Sequence, residues 1–369
     1  MKGTDLFINN KSALTELISE ISGEPIISLD TEFMRESTYY PELCLIQIAT
    51  SNLAVCIDCL ADLDLDVFFE VLLAKDKIWL LHSARQDLEV LYKLTNRLPA
   101  HLIDTQLAAA LLGYPPQIGL QDLTHKLLKI ELDKSLSRTD WTKRPLSTPA
   151  LKYALDDVRY LLSLWEKLRP KLENSARLNW FKEDCQHALH APLITPSVTL
   201  WERLKGLGSL DPRSQYAALC LTEWREKCAQ KLNRPRRWIM SDQLLLITAN
   251  IIPETQEELA SITDMPERLA KRFGNEILKT INDYQDIEKM KRVEKRINRP
   301  RHKKANLKQL KNCLLERAHE LGIEPEVLAS RKELIGLAVG NLSGRLEKGW
   351  RSNEINYFKP IKTDPDQKT

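Results

Sequence analysis

Short apolar runs bounded by acids or turn residues, and alternating with helical spacing, fill the first half of the chain. Ile26–Asp30 (IISLD) is an apolar run ending in an acid, the pattern of a buried strand. Leu43–Ala49 and Leu53–Asp58 predict two more strands, joined by the turn-prone Thr50, Ser51 and Asn52. Leu63–Ala74 has helical spacing. Lys77–His82 predicts a strand, followed by a helix from Ser83 with Leu88, Leu91 and Tyr92 on one face. His101–Asp104 is a fifth candidate strand leading into the helical Thr105–Leu112. From Leu120 to about Leu168 the spacing is helical except around Ser137–Pro149. Three strands in a meander, then alternating helices and strands, predict an α/β domain over a mixed sheet.

Ala191–Leu200 has two prolines and no charge, and reads as a linker. Beyond it the pattern is almost entirely helical. Aligning Pro235 with Pro325 without gaps superposes Trp224 on Leu314, Cys228 on Ala318, Trp238 on Leu328 and Leu244 on Leu334. That periodicity predicts an internal repeat of two all-α bundles. The expected division is an α/β domain with its linker over 1–200, then helical bundles over 208–288 and 292–369, with the last ten residues frayed.

Composition changes the picture mainly through charge. With 369 residues, 43% of them hydrophobic and 28% charged, the chain has enough apolar side chain for several cores. It has no run long enough to span a bilayer, no secretory leader, and seven scattered Cys that suit a reducing compartment, so a cytoplasmic setting is expected. Residues 1–200 carry 21 Lys+Arg against 27 Asp+Glu, a net of −6, whereas 201–369 carry 33 against 24, a net of +9. Arg225–Arg237 holds six basic residues and one acid, and Lys291–Lys311 ten and one. Each run lies beside an Asn-Arg-Pro-Arg step, Asn233–Arg236 or Asn298–Arg301. An acidic front half joined to a basic back half points to a metal-holding unit followed by a polyanion-binding one.

The acids suggest which chemistry. Asp30 and Glu32 are two apart on a strand, so both carboxylates project from one face at the sheet end. Asp87 falls in the first turn of the helix after Lys77–His82, and Tyr153 and Asp157 stack four apart on one helical face. Asp156 beside Asp157 leaves the choice between them open from spacing alone. Four acids meeting in one crevice need compensation, and hard divalent cations with oxygen ligands supply it. Two such ions are the usual clamp for in-line attack on a phosphodiester, one activating the water and one stabilising the leaving 3′ oxygen. Tyr153, with an ordinary phenol pKa of about 10, is suited to orienting a water rather than to deprotonating it.

In order and spacing, SLDTEFMRESTYYPELCLIQIA, LLHSARQDLEVLY and DWTKRPLSTPALKYALDDVRYL resemble the three motifs of the DEDDy 3′→5′ exonucleases, and most closely the bacterial ribonuclease D family. GLQDLTHKLL and the Asp140-Trp141…Arg144-Pro145-Leu146 run resemble that family too. The matched positions are Asp30, Glu32, Asp87, Tyr153 and Asp157, the family pattern selecting Asp157 over Asp156. Ser83 stands where the superfamily often has an Asn. The helical tail resembles two HRDC modules, closely at Leu221-Thr-Glu-Trp-Arg-Glu…Pro235 and loosely in the second copy. The resemblance implies an RNase H-like fold and two Mg²⁺ or Mn²⁺ ions. It also implies trimming of RNA 3′ ends such as tRNA precursors, with nucleoside 5′-monophosphates as products. By the family pattern Asp30, Glu32 and Asp157 hold the nucleophile-side ion; Asp30 bridges to the second, and Asp87 binds that one directly or through water.

Other residues have two readings. Phe33 and Met34 suit either stacking on a terminal base or core packing. His82 is a candidate site-lining or structural residue, and Arg144 either contacts substrate phosphate or fixes its loop by a salt bridge. Cys56-x-x-Cys59, and Cys185 with His187 and His190, have ligand-like spacing but no completing partners, so core thiols are expected. The competing functions are an exoribonuclease, a proofreading-type DNA exonuclease, and a catalytically silent RNA-binding protein. No obligate protein partner and no membrane are expected.

Overall fold

The structure, a computed structural model, describes residues 6–133, 136, 139–298, 304–342 and 344–356. Up to residue 232 the described chain has six strands and ten α-helices: β1 (Leu6–Ile8), α1 (Lys11–Ser22), β2 (Ile26–Met34), β3 (Glu42–Ala49), β4 (Ala54–Asp58), α2 (Asp66–Leu72), β5 (Ile78–Leu81), α3 (Arg85–Thr95), β6 (His101–Asp104), α4 (Thr105–Leu111), α5 (Leu120–Leu128), α6 (Thr148–Arg159), α7 (Leu161–Asn174), α8 (Leu178–His190), α9 (Ser197–Glu202) and α10 (Pro212–Leu232). The helical tail continues with α11 (Arg236–Ile239), α12 (Asp242–Ile251), α13 (Gln256–Ser261), α14 (Glu267–Asn282), α15 (Ile287–Ile297), α16 (Lys304–Leu321), α17 (Pro325–Leu328), α18 (Arg331–Ala338) and α19 (Trp350–Ile355).

One sheet, in the order β1-β4-β3-β2-β5-β6, organises the α/β part. β3 runs antiparallel to β4, whereas β1–β4, β2–β5 and β5–β6 are parallel, so the sheet is mixed as the pattern predicts. β1 and β2 differ most from the sequence reading. The three-residue β1 is too short to show a periodicity, and it is fixed only by pairing with Val55–Ile57. β2 extends four residues beyond Asp30; its second half is only partly buried, which hides it from a search for apolar runs. The helix expected from Ser83 starts at Arg85, because Ser83 takes a left-handed conformation (φ 63°). The expected linker is interrupted by α9.

Lys77, expected as the first residue of a strand, instead turns its buried ammonium onto the end of α1. It donates to the carbonyls of Ile21 (3.1 Å), Ser22 (2.6 Å) and Glu24 (2.7 Å). A cation there complements the negative helix end. Lys77→Met should therefore cost about 1–3 kcal/mol, since the carbonyls lose their donor while the stem still packs. Urea denaturation of the two proteins side by side would check this; equal midpoints would show that water replaces the ammonium without loss.

The chain forms two compact units that divide it differently from the three-domain expectation. One takes Met1–Met34, Leu43–Ala191 and Arg301–Thr369, and the other Arg35–Glu42 and Pro192–Pro300. The segment 301–369 therefore belongs with the α/β domain rather than standing alone. The physical reason lies on α8, at two places. Near its start, Arg177 donates to the carbonyls of Leu111 (2.5 Å) and Leu321. In its middle, Asp184 pairs with the buried Arg351 and accepts from Trp350 Nε1 (3.1 Å), and the Trp350 ring stacks at 4.3 Å on Trp180 one turn earlier. Gly113 (φ 87°) completes this packing, since a Cβ there would meet the Gly322 carbonyl oxygen at 2.4 Å.

In the other unit α10 is the central helix, packing on α9, α12, α14 and α15 around Trp201, Tyr216, Leu219, Leu245 and Ile277. The loop after β2 is clasped here. Tyr39 donates its hydroxyl to Glu226 and accepts from Gln230 (3.1 Å), while Asn233 Oδ1 accepts from the N–H of Tyr39 (3.1 Å) and Tyr40 (3.0 Å). Burial and Glu226 push the Tyr39 phenol up to about 12. The basic run Arg225–Arg237 is thus only partly available to a polyanion. Arg225 is 3% exposed and donates to Met240 O and Asp242, and Arg236 pairs with Glu226 at 2.8 Å. In the second run, Arg296 donates to Gln215 (2.8 Å); Asn298 apart, the second Asn-Arg-Pro-Arg step lies outside the described residues.

The α16-α17-α18 stretch repeats the local geometry of α10-α11-α12. Arg234 N bonds to Ala229 O (2.9 Å) as Ile323 N bonds to Ala318 O (3.0 Å). Extended Met240 and Ala329 each precede a serine N-cap, Ser241 and Ser330. Ala229 therefore corresponds to Ala318 and Leu245 to Leu334, a spacing of 89 residues. Superposing Pro235 on Pro325 is out of register by one, because Pro235 caps its short helix whereas Pro325 is the first residue within it.

Candidate active site

The register between β2 and β5 covers Ile26–Ser28 and Ile78–Leu80, so beyond it β2 carries its next residues past the end of β5. Asp30 and Glu32 lie there, both partly exposed, with buried Thr31 between them on the other face. α6 brings the third acid. Ser147 caps its N-terminus by accepting from Ala150 N (3.3 Å), and Pro149 sits in the first turn. Trp141, 6.2 Å from the Tyr153 ring, packs with the inner face of α6. Asp30, Glu32 and Asp157 each offer a carboxylate oxygen within 4.8 Å of the others, and among the described residues they are the one such group of three. Asp156 is settled otherwise: it is buried and paired with Lys152 (3.0 Å) and Arg159 (3.1 Å).

Asp87, in the first turn of α3, stands outside that group of three and is tied to β2. Thr31 donates its hydroxyl to Asp87 Oδ1 at 2.6 Å. The four acids nevertheless feel one another. Burial, then Asp87, Asp157 and Glu32, drive the Asp30 carboxyl well above the ordinary range. Burial, with Asp157 and Asp87, pushes Glu32 up to about 8, and burial raises Asp87 and Asp157 to about 7. Burial and the neighbouring acids are the causes that raise these four carboxyls. An all-carboxylate donor set fits a hard divalent cation. The Tyr153 phenol is pushed up by burial and by Asp157, Glu32 and Asp30, and its hydrogen bond to Asp157 lowers that acid. It keeps its proton at neutral pH and is a donor, not a base.

A pH dependence follows. Ordinary carboxylates ionise near pH 4 in the unfolded chain, whereas here Asp87 and Asp157 hold protons to about 7 and Glu32 to about 8. Between those limits the folded chain binds more protons than the unfolded one, so stability is greatest at the acid end and is lost as pH rises through 7 to 8. The Tm of EDTA-treated protein should fall between about pH 5 and pH 8, and saturating Mg²⁺ should remove most of that fall. A Tm in EDTA that does not change over this range would contradict the clustered, uncompensated acids.

The remaining expected site residues are placed as follows. Met34 packs against the Trp141 and Tyr153 cluster, and Phe33 beside it on β2 is partly buried. His82 has both ring nitrogens engaged, Nδ1 with Thr105 Oγ1 (2.8 Å) and Nε2 with Ile118 O (2.9 Å), and burial lowers its pKa. Neutral and with Nε2–H donating, it ties β5 to the segment before α5. Arg144 departs from the phosphate-contact reading. Its five N–H groups go to Asp58 (two), and to the carbonyls of Trp141, Lys143 and Cys44, which makes it the clamp of its loop. Cys56 and Cys185 are buried cysteines outside any disulfide, and His190 Nδ1 binds Gln186 O within its own helix. The sequence reading missed Thr31 and Asp104. For Asp104 a signal was present, an acid directly before the helical Thr105–Leu111, the position of an N-cap.

Comparison with known proteins identifies this arrangement. The 3′-5′ exonuclease family model matches residues 6–173, and the HRDC domain model matches 219–281. Ribonuclease D of Desulfotalea psychrophila is 34% identical over 97% of this chain and 98% of its own, and that of Gluconacetobacter diazotrophicus is 34% identical over 94% and 89%. The crystal structure of Escherichia coli RNase D, an exoribonuclease involved in structured RNA processing, covers 96% of each chain at 27% identity with a TM-score of 0.82. The catalytic core of RRP6 from Trypanosoma brucei shares the fold over 76% of this chain, with a TM-score of 0.60. Lying on that fold, with its acids gathered past the end of β5, the chain belongs to the ribonuclease D family of 3′→5′ exoribonucleases.

Proposed function

We propose that Asp30, Glu32, Asp87 and Asp157 hold a pair of divalent cations, Mg²⁺ or Mn²⁺, and that the chain removes nucleotides singly from the 3′ end of structured RNA. Precursors of tRNA, in the cytoplasm, are the substrates this reading favours, and nucleoside 5′-monophosphates the products. The observation that carries it is the convergence of Asp30, Glu32 and Asp157 within 4.8 Å, with Asp87 held against Thr31 on the same strand. When bound, the cations supply a nucleophile at neutral pH and stabilise the leaving 3′ oxygen. Asp30, on which all three other acids act, would be the carboxylate that the two cations share. Glu32 and Asp157 complete the nucleophile side. Tyr153, a protonated phenol that donates to Asp157, orients the attacking water by accepting one hydrogen bond from it. The helical tail supplies a second, HRDC-like module beyond the matched one, divergent and shorter.

The test is a time course on a 5′-labelled, tRNA-like RNA with a short 3′ extension, in Mg²⁺, Mn²⁺ or EDTA. A ladder shortening one nucleotide at a time, dependent on the cation and releasing mononucleotides, is expected. Cleavage within the chain, or shortening in EDTA, would overturn the reading. A matched substrate with a deoxy terminus should be cut more slowly; equal rates would move the assignment to a DNA exonuclease.

A further inference from the structure

α3 has no side-chain cap of its own: Ala84 stands at the N-cap and Ser83 before it is left-handed. The backbone donors of this turn are taken by a carboxylate 20 residues beyond Ala84. Asp104, at the end of β6 and 5% exposed, accepts from Ser83 N on Oδ1 (3.0 Å) and from Ala84 N on Oδ2 (2.9 Å). Its Oδ1 also accepts from Gln106 N (2.9 Å) and more weakly from Leu107 N (3.4 Å), capping α4. One buried acid thus ties together the starts of two helices. Its charge is met there by backbone N–H groups and the positive ends of both helices. Asp87 follows the clamped turn by three residues and meets Thr31 on its other side.

We infer that Asp104 is a positioning residue for the reaction: it sets the start of α3 so that the Asp87 carboxylate reaches Thr31 and faces the other three acids. It does so without touching cation or substrate. The inference rests on the reading above that Asp87 is one of the cation-holding acids. Loss of a carboxylate behind a metal ligand costs roughly 10- to 100-fold in metal affinity or activity, and that is the scale expected here.

Asp104→Ser separates positioning from structure. A serine keeps an N-cap oxygen for α4 but is too short to reach the Ser83 and Ala84 amides. In the full-length protein it should lower kcat on a short RNA about 10- to 100-fold, with KM changed less than about twofold. The Mg²⁺ concentration for half-maximal rate should rise by a similar factor. The rise in Tm on adding Mg²⁺ without RNA should shrink, a readout that needs no turnover. Thr31→Val approaches the same carboxylate from the other side and should reproduce the raised Mg²⁺ requirement, with Thr31→Ser restoring it. If Asp104→Ser merely lowers Tm, with kcat and the Mg²⁺ requirement unchanged, the residue is structural and the inference fails. If Asp104→Ser does not fold, Asp104→Asn decides, since an amide keeps one acceptor oxygen but cannot accept from both the Ser83 and Ala84 N–H groups as the two carboxylate oxygens do: no change in its Mg²⁺ requirement overturns the clamp. Asp87→Asn, measured alongside, separates the two levels. An inactive Asp87→Asn with a normal Asp104→Ser defeats positioning alone, whereas an active Asp87→Asn defeats the underlying assignment.

Discussion

Asp30→Asn should reduce 3′-end shortening by at least about 100-fold, the loss already expected for an outer partner of a metal ligand. Its KM for RNA should change little. Asparagine keeps the shape and one acceptor oxygen but removes the charge on which the three neighbouring acids converge. The same substitution should make the cation-free protein more stable. Three like charges and burial act against Asp30, and a neutral side chain is relieved of all of them. A lower rate with a higher Tm in EDTA is what a site strained for function should show. Single-turnover assays on labelled RNA, with melting curves in EDTA, would measure both. Activity within about tenfold of wild type would remove Asp30 from the site, and a lower Tm would show that its carboxylate is compensated within the chain.

The site divides into what spacing can show and what only folding can. Asp30 with Glu32, and Tyr153 with Asp157, were legible because two residues on a strand and four on a helix return to one face. The contacts that fix the site carry no local signature. Thr31 and Asp87 are 56 residues apart, Arg144 and Asp58 are 86 apart, and the Asp104 clamp spans 20. Asp156 beside Asp157 blurred the choice, which the Tyr153 spacing and the family pattern made for Asp157; in the fold Lys152 and Arg159 pair with Asp156, and Tyr153 bonds to Asp157. Part of the first basic run is spent within the protein for a similar reason. Arg225 and Arg236 read as charges for a polyanion, but they meet Asp242 and Glu226 inside their own bundle. The mixed sheet was legible from its strands, whereas the three-residue β1 exists only through its partner.

The role of the last bundle was the widest gap, and it leads to the largest expected stability effect. A basic segment after a linker suggests a gripping module, yet Arg351 is 5% exposed and spends its charge inside the protein. It pairs bidentately with Asp184, donates to Val327 O (2.9 Å) and lies 4.2 Å over the Trp350 ring, which stacks on Trp180. Removing one member of a buried pair strands the other, so Arg351→Ala should cost about 3–5 kcal/mol. Replacing both partners by apolar side chains, Arg351→Met with Asp184→Leu, should cost much less, because no uncompensated charge remains. Urea denaturation of wild type, single and double variants would measure the difference. Deleting 301–369 should then expose Trp180 and the stranded Asp184, and lower the solubility and stability of the α/β domain even without RNA. If Arg351→Ala instead lies within about 1 kcal/mol of wild type, α8 does not depend on this contact, and the bundle is free to act on RNA as a separate module.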